Sequence, residues 1–251
     1  MKVLTAIPVF NEERRVEEVL AEVRRYTPDI LAVNDGSTDR TAELLARQSD
    51  VRVITHPVNR GYGAALLSAF NFAKESDFDV LITMDCDGQH EPARIPVLLE
   101  ALHDADIVSG SRYLRDFRQQ SLPTPPDRRQ INEIITRELN DLLGLNLTDA
   151  FCGFKAYRRD VLGLFRLTET GWGMPLELWV QAAALGLRVK EVGVPRIYVD
   201  ANRTFGGLLD DATQRLEYYR GVIRKACAAL PREEPHVWDC LGMAPASWSE
   251  R

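Results

Sequence analysis

The chain has 251 residues, 45% of them hydrophobic and 27% charged, with a formal net charge of −6. That is the composition of an ordinary soluble globular protein with room for one large domain or two small ones. The acidic balance argues against broad, sequence-independent nucleic-acid binding. No run of about 18 apolar residues is present, so no membrane-spanning helix is expected. The start, MKVLTAIPVFNEE, turns polar too soon for a signal peptide. Cys86, Cys152, Cys227 and Cys240 form neither a CxxC pair nor a zinc-ligand spacing. They read as reduced thiols of a cytoplasmic protein.

In chain order, Lys2 to Pro8 reads as a strand and Glu12 to Tyr26 as a helix, with Val16, Val19, Leu20 and Val23 at helical spacing. Ile30 to Asn34 is a second strand. Ser37 or Thr38 is expected to cap the helix that follows it. Val51 to Thr55 reads as a strand, Ala64 to Lys74 as a helix, and Val80 to Met84 as a strand. Pro92 to Leu102 reads as a helix with proline in its first turn, and Asp106 to Ser109 as a fifth strand. Strand–helix alternation predicts an α/β fold with a mostly parallel central sheet, helices on both faces and right-handed crossovers.

After Ser111 the period is lost. RYLRDFRQQSLPTPPDRRQ carries three prolines and several arginines and reads as a long functional loop. Beyond it, the pattern predicts a helix over about 129–143, a strand over 154–157 and a helix over 175–185. A strand over 187–199 is interrupted near Gly193-Val194-Pro195. A long amphipathic helix over 208–230 carries Leu209, Leu216, Tyr219, Ile223 and Leu230 along one side. This suggests a division into residues 1–207 and a helix-plus-tail unit, 208–251. The helix would pack on the domain or on another subunit, or lie on a membrane surface.

The polar clusters fall where the first four strands end, which is where open α/β sheets bind ligands. They are PVFNEE after the first strand, NDGSTD after the second, NRGYG after the third and DCDGQ after the fourth. Such a rim suits a nucleoside diphosphate. Asp35 is placed to accept from a base or ribose hydroxyl, and Arg60 to meet a phosphate or base. Gly61 and Gly63 would let the backbone approach closely, and the helix after them offers N–H groups to an anion. If the fourth strand persists, Asp85 and Asp87 point the same way, and their repulsion is relieved by a shared Mg²⁺ or Mn²⁺. The GxGxxG fingerprint and the Walker A motif are both absent.

The ordered set IPVFNEE, NDGSTD, NRGYGAAL, MDCDGQH, SGSRY and DAFCGFKAY resembles the family 2 glycosyltransferases over about residues 2–207. Within them it is most similar to the polyprenol-phosphate (dolichol-phosphate) mannosyl- and glucosyltransferase branch. The resemblance implies a GT-A fold, a nucleoside-diphosphate sugar donor such as GDP-mannose or UDP-glucose, a divalent cation, and inversion at the anomeric carbon. It implies that Pro8, Asn11 and Glu12 contact the nucleotide and that Asp35 holds the base or ribose. Asp85 and Asp87 would be the metal-binding DxD pair, with Gln89 beside them. Arg112 would sit near the donor phosphates, and Arg203 would close over them. Asp149 and Cys152 to Lys155 would underlie the sugar and acceptor. Arg128, Arg129, Asn132 and Asn140 would form the acceptor-side helix.

The branch commonly has a serine and lysine after the arginine that matches Arg203; here TFGG stands instead. The expected reaction is direct displacement at the sugar C1 by a polyprenyl phosphate, at the inner face of a membrane. The alternative is a hydroxyl acceptor, for which Glu177, or Asp149 after it, is the candidate general base. A non-enzymatic alternative is a sugar-nucleotide-binding protein. A homodimer is compatible with all of these.

Overall fold

A computed structural model describes residues 1–115, 126–197 and 204–230. The strands are β1 (Val3–Val9), β2 (Asp29–Asn34), β3 (Val51–Thr55), β4 (Val80–Thr83), β5 (Ile107–Ser111), β6 (Lys155–Arg158) and β7 (Val189–Gly193). The α-helices are α1 (Val16–Arg24), α2 (Thr41–Ala46), α3 (Tyr62–Glu75), α4 (Ile95–Ala101), α5 (Pro126–Leu143), α6 (Arg159–Leu162), α7 (Met174–Ala184) and α8 (Ala212–Ala229). The strands form one sheet in the order β3-β2-β1-β4-β6-β5-β7. All pairings are parallel except those of β6, which runs antiparallel to both β4 and β5.

Alternation along the strands builds two cores. Leu4 and Ala6 of β1, Leu31 and Val33 of β2 and Leu81 of β4 face one side, against Ala65, Ala69 and Phe70 of α3 and Trp179 of α7. Ile7 and Val9, Ile30 and Ala32, and Val80 and Ile82 face the other, against Val16, Leu20 and Val23 of α1 and Ile95 and Leu98 of α4. A sheet covered on both faces needs nearly continuous apolar strands, and these strands have them. Trp179 is fully buried, and its indole N–H is satisfied by the Ala150 carbonyl at 2.9 Å.

Several boundaries differ from the sequence expectation for local reasons. Helix α1 starts at Val16, not Glu12, because Asn11 takes φ 56° and residues 12–15 turn before the helix begins. Ser37 and Thr38 do not cap α2. Ser37 Oγ accepts the Asn11 N–H (3.0 Å), and the Thr38 N–H donates to Asn11 Oδ1 (2.8 Å). They therefore tie the loop after β2 to the loop after β1. The last strand is shorter than expected, and residues 198–203 lie outside the described residues. The long C-terminal helix is preceded by a 3₁₀ turn, Gly207–Asp210, and is capped by Asp211, which accepts the Gln214 N–H at 2.8 Å. Its apolar side turns inward: Tyr219, Val222, Ile223 and Ala226 join the core shared with α5 and α7. No described helix is long and apolar enough to cross a membrane.

Strand order reverses between β1 and β4, so the chain after each leads away in opposite directions and leaves a crevice at their carboxyl ends. The site lies there.

Candidate active site

A cleft of about 510 Å³ opens at this switch point. Pro8 and Glu12 from the end of β1, Asp35 from β2, Gly61 from the start of α3, and Asp85, Asp87 and Gln89 from the turn after β4 all line it. Arg112, from the end of β5, and Arg128 and Asn132, on α5, line its other side. Of the expected site residues, these are the ones the fold brings together.

The acidic pair is reached differently from the sequence expectation. Strand β4 ends at Thr83, so strand alternation does not align Asp85 with Asp87. Both sit in a turn containing Gly88 at φ 74°. Asp85 is fixed from three sides. Its Oδ1 accepts the Tyr62 hydroxyl at 2.9 Å. Burial, and then the Asp85 charge, push that phenol well above its ordinary range, so it stays protonated and donates. The Asp85 N–H donates to His90 Nδ1 at 3.1 Å, which puts the ring proton on Nε2, 3.8 Å from Asp85 Oδ2. Gly153 lies beneath: a Cβ there would stand 2.5 Å from Asp85 Oδ2. Asp87 Oδ1 accepts the Gln89 N–H at 2.9 Å.

These residues fit a hard divalent cation. No group of three or more His, Cys, Asp or Glu side chains able to hold a metal occurs among the described residues. Two cleft-lining carboxylates and an amide are the donor set for Mg²⁺ or Mn²⁺ ions that complete their shells with substrate phosphate oxygens and water.

At the carboxyl end of β2, Asp35 is almost fully buried. It accepts from the Arg60 N–H (3.0 Å, Oδ1) and the Gly61 N–H (2.8 Å, Oδ2). The Arg60 side chain is exposed and is not part of the cleft lining. The glycines serve the chain itself. A Cβ at Gly61 would lie 2.5 Å from the Thr170 carbonyl oxygen, and one at Gly63 2.5 Å from that of Glu169. The Ala64 N–H also goes to Thr170 O at 3.0 Å, so part of the α3 amino terminus is spent internally rather than held for an anion. Asn11 is exposed and holds the β1 and β2 loops together, as described, without lining the cleft.

The acceptor-side expectations divide. Arg128 lines the cleft, with its guanidinium 4.8 Å from the Phe205 ring centre. Arg129 faces outward and pairs with Glu133 at 2.8 Å. Asp149 is fully buried and does not reach the cleft. It forms a bidentate pair with Arg112 (2.6 and 2.8 Å) and accepts the Asn132 amide at 2.7 Å. Glu177 is also buried, off the cleft. It accepts from the Thr168 N–H (2.8 Å), the Thr168 hydroxyl (3.0 Å) and the Glu169 N–H (2.7 Å). It therefore pins the loop that packs on Gly61 and Gly63. Arg203 lies outside the described residues.

Several lining residues were not singled out in the sequence, Trp172 and Arg215 among them. Trp172 stacks on Tyr62 with ring centres 5.0 Å apart and meets the Phe205 ring edge-on. Arg215, almost fully buried on α8, lies 4.7 Å from the Phe205 ring on its way to Asp127. An arginine in the same helical register as Tyr219, Val222 and Ala226 was the available signal for the last. Trp172 and Tyr62, each set between two glycines, gave a weaker one.

The Glycosyl transferase family 2 profile matches residues 5–165. The chain belongs to that family. This glycosyltransferase is 34% identical over 223 residues to the undecaprenyl-phosphate mannosyltransferase of Micrococcus luteus, covering 84% of this chain and 91% of that protein. It is 31% identical over 204 residues to the polyprenol monophosphomannose synthase of Mycolicibacterium smegmatis, covering 77% of this chain and 76% of the relative. Among solved structures, glucosyl-3-phosphoglycerate synthase from Mycobacterium tuberculosis in complex with UDP superposes with a TM-score of 0.69 at 20% identity. That match covers 92% of this glycosyltransferase and 82% of the synthase. The fold is GT-A.

Proposed function

We propose that this glycosyltransferase moves a hexose, with inversion, from a nucleoside-diphosphate sugar to a polyprenyl phosphate at a membrane surface. The acceptor phosphate oxygen attacks the sugar C1. The bond from C1 to the diphosphate oxygen breaks on the opposite face, and its electron pair leaves with the nucleoside diphosphate. Asp85 and Asp87, with Gln89 beside them, would hold a divalent cation, which when bound offsets charge on the departing diphosphate. Arg112, held by Asp149, which Asn132 holds in turn, faces the same cleft with its charge offset by that pair, and the guanidinium N–H groups the pair does not use would donate to a phosphate oxygen.

The observation that carries this reading is the fate of the two candidate general bases. A hydroxyl acceptor needs a carboxylate to take its proton, whereas a phosphate is already anionic at neutral pH. Glu177 is consumed by three donors from Thr168 and Glu169, and Asp149 by Arg112 and Asn132. Arg128 lines the cleft on the acceptor side instead, and Arg215 lines it while paired with Asp127. The relatives named for undecaprenyl and polyprenol phosphates support the same acceptor class. The related folds that carry Mn²⁺ and UDP-glucose in their crystals support the donor class.

The test is transfer from labelled GDP-mannose and UDP-glucose to a short polyprenyl phosphate with Mn²⁺ or Mg²⁺. EDTA and Asp87→Asn serve as controls. An organic-extractable sugar lipid that both controls abolish is the expected result, and it names the donor. Metal-dependent donor hydrolysis with no lipid product would discard the lipid acceptor.

A further inference from the structure

We propose that His56, braced by Ser68, is a positioning residue for the nucleotide. It fixes Asp35 so that the carboxylate presents a single open acceptor position to the nucleoside. The inference rests on the nucleotide-sugar reading above. Three elements meet here. Asp35 follows β2, His56 follows β3, and Ser68 lies on the second turn of α3. His56 Nδ1 stands 2.6 Å from Asp35 Oδ1, and His56 Nε2 stands 2.8 Å from Ser68 Oγ. An ionised carboxylate can only accept, so Nδ1 carries the proton. With a neutral ring, Nε2 then accepts the serine hydroxyl. The His56 N–H, donated to the Asn34 carbonyl at 2.9 Å, fixes the backbone from which the ring is hung.

The donors converging on Asp35 set what it has left. A carboxylate offers about four lone-pair positions. The His56 ring and the Arg60 N–H take those on Oδ1, and the Gly61 N–H takes one on Oδ2. About one position remains, on Oδ2, and Asp35 lines the cleft. It suits one N–H of a base or one ribose hydroxyl. His56 is itself buried and is not part of the cleft lining, so its influence passes through Asp35. The arrangement resembles a hydrolytic triad in composition. The serine, however, lies on the far side of the imidazole from the cleft-lining carboxylate, and the set orients a binding group.

The experiment is calorimetry of the full chain with UDP and with GDP, each in Mn²⁺, using whichever binds more tightly as the probe. His56→Ala is expected to weaken that nucleotide about tenfold or more, the scale of one charge-assisted hydrogen bond. Mn²⁺ affinity measured without nucleotide should stay within about twofold, because the Asp85 and Asp87 turn is a separate element. His56→Asn, whose amide can donate where Nδ1 does, should recover most of the loss. In the Asp35→Asn background, His56→Ala should cost nothing further, since the two act as one unit. Should the alanine variant fail to fold, Ser68→Ala and His56→Asn carry the test, with the asparagine variant binding nearly as wild type and the serine variant intermediate. Wild-type affinity in His56→Ala, losses that add to those of Asp35→Asn, or no recovery in His56→Asn would each overturn the role of His56 while leaving the nucleotide-sugar reading intact. Failure of the wild type to bind either nucleotide would overturn both.

Discussion

Glu177 separates two chemistries at the level of a single side chain. A general base donates its lone pair to the acceptor proton, and replacing it by glutamine removes about 10²–10⁴-fold in rate. A loop pin needs only acceptor oxygens, and glutamine keeps one. Glu177→Gln is therefore expected to retain kcat within about threefold of wild type, far short of a general base's loss. Its melting temperature should fall, because at least one donor from Thr168 or Glu169 loses a charged partner worth about 1.5–3 kcal/mol. Steady-state transfer and a thermal melt on the same preparation check this. A rate loss of several hundredfold with an unchanged melt would restore the catalytic role. The residue scale is also where the sequence was least legible. That Asp85 and Asp87 line the cleft was legible from their place after the fourth strand, among the polar clusters at the carboxyl ends of the strands. The fate of Glu177 and Asp149 was not, because whether an acid is spent on the protein depends on partners distant in the chain or packed from another segment. Asp149, for example, finds Arg112, 37 residues away. The packing role of Gly61 and Gly63 was hidden for the same reason: the backbone that approaches them belongs to residues 169–171, which no local pattern connects to NRGYG.

Between elements, the buried Arg112–Asp149 pair couples the end of β5 to α5, with Asn132 as the third member. Burial pushes the Asp149 carboxyl up, but the Arg112 guanidinium and the Asn132 amide pull it further down. The net folded value lies below the ordinary 3.8. A depressed carboxyl contributes stability that is fully present above its unfolded pKa and is lost as pH falls through the folded value. Acid unfolding below about pH 4 therefore includes this pair. Asp149→Asn leaves Arg112 without its counter-charge. It is expected to cost about 3–5 kcal/mol at neutral pH and to flatten the pH dependence of stability in the acid range. Denaturant unfolding at pH 3, 5 and 7 measures both. Element boundaries show which signals survive without tertiary context. Strand β3 is found at the expected residues, since its ends are set by local turns. The antiparallel insertion of β6 between β4 and β5 carries no local signature, because a four-residue strand reads the same in either direction. The caps assigned to Ser37 and Thr38 failed because Asn11, on another loop, competes for them.

For the whole molecule, the question is how a chain whose described helices do not span a bilayer would reach a lipid-linked acceptor. Helix α8 does not answer it with its apolar side, which is buried against α5 and α7. Of the nine large apolar residues exposed among the described residues, Phe10, Leu114 and Leu208 lie in the cleft lining or within two residues of it in sequence. Leu208, 74% exposed, follows the cleft-lining Gly206 by two residues, and Leu114 (42%) adjoins the cleft-lining Tyr113. Phe10, 43% exposed, lines the cleft itself. Apolar side chains left in water around a polar mouth are inexpensive if that mouth works against a bilayer interface, where they insert and orient the opening toward the lipid. Burying a leucine there is worth about 1.5 kcal/mol or more, so Leu208→Ser should weaken association with anionic vesicles containing polyprenyl phosphate about tenfold. Transfer to a short, water-dispersed polyprenyl phosphate should be unchanged, because Leu208 is not part of the cleft lining. Vesicle sedimentation alongside the two transfer assays separates these effects. An equal loss with both acceptors would place Leu208 in the cleft's own architecture. No loss with either would move membrane contact to another surface.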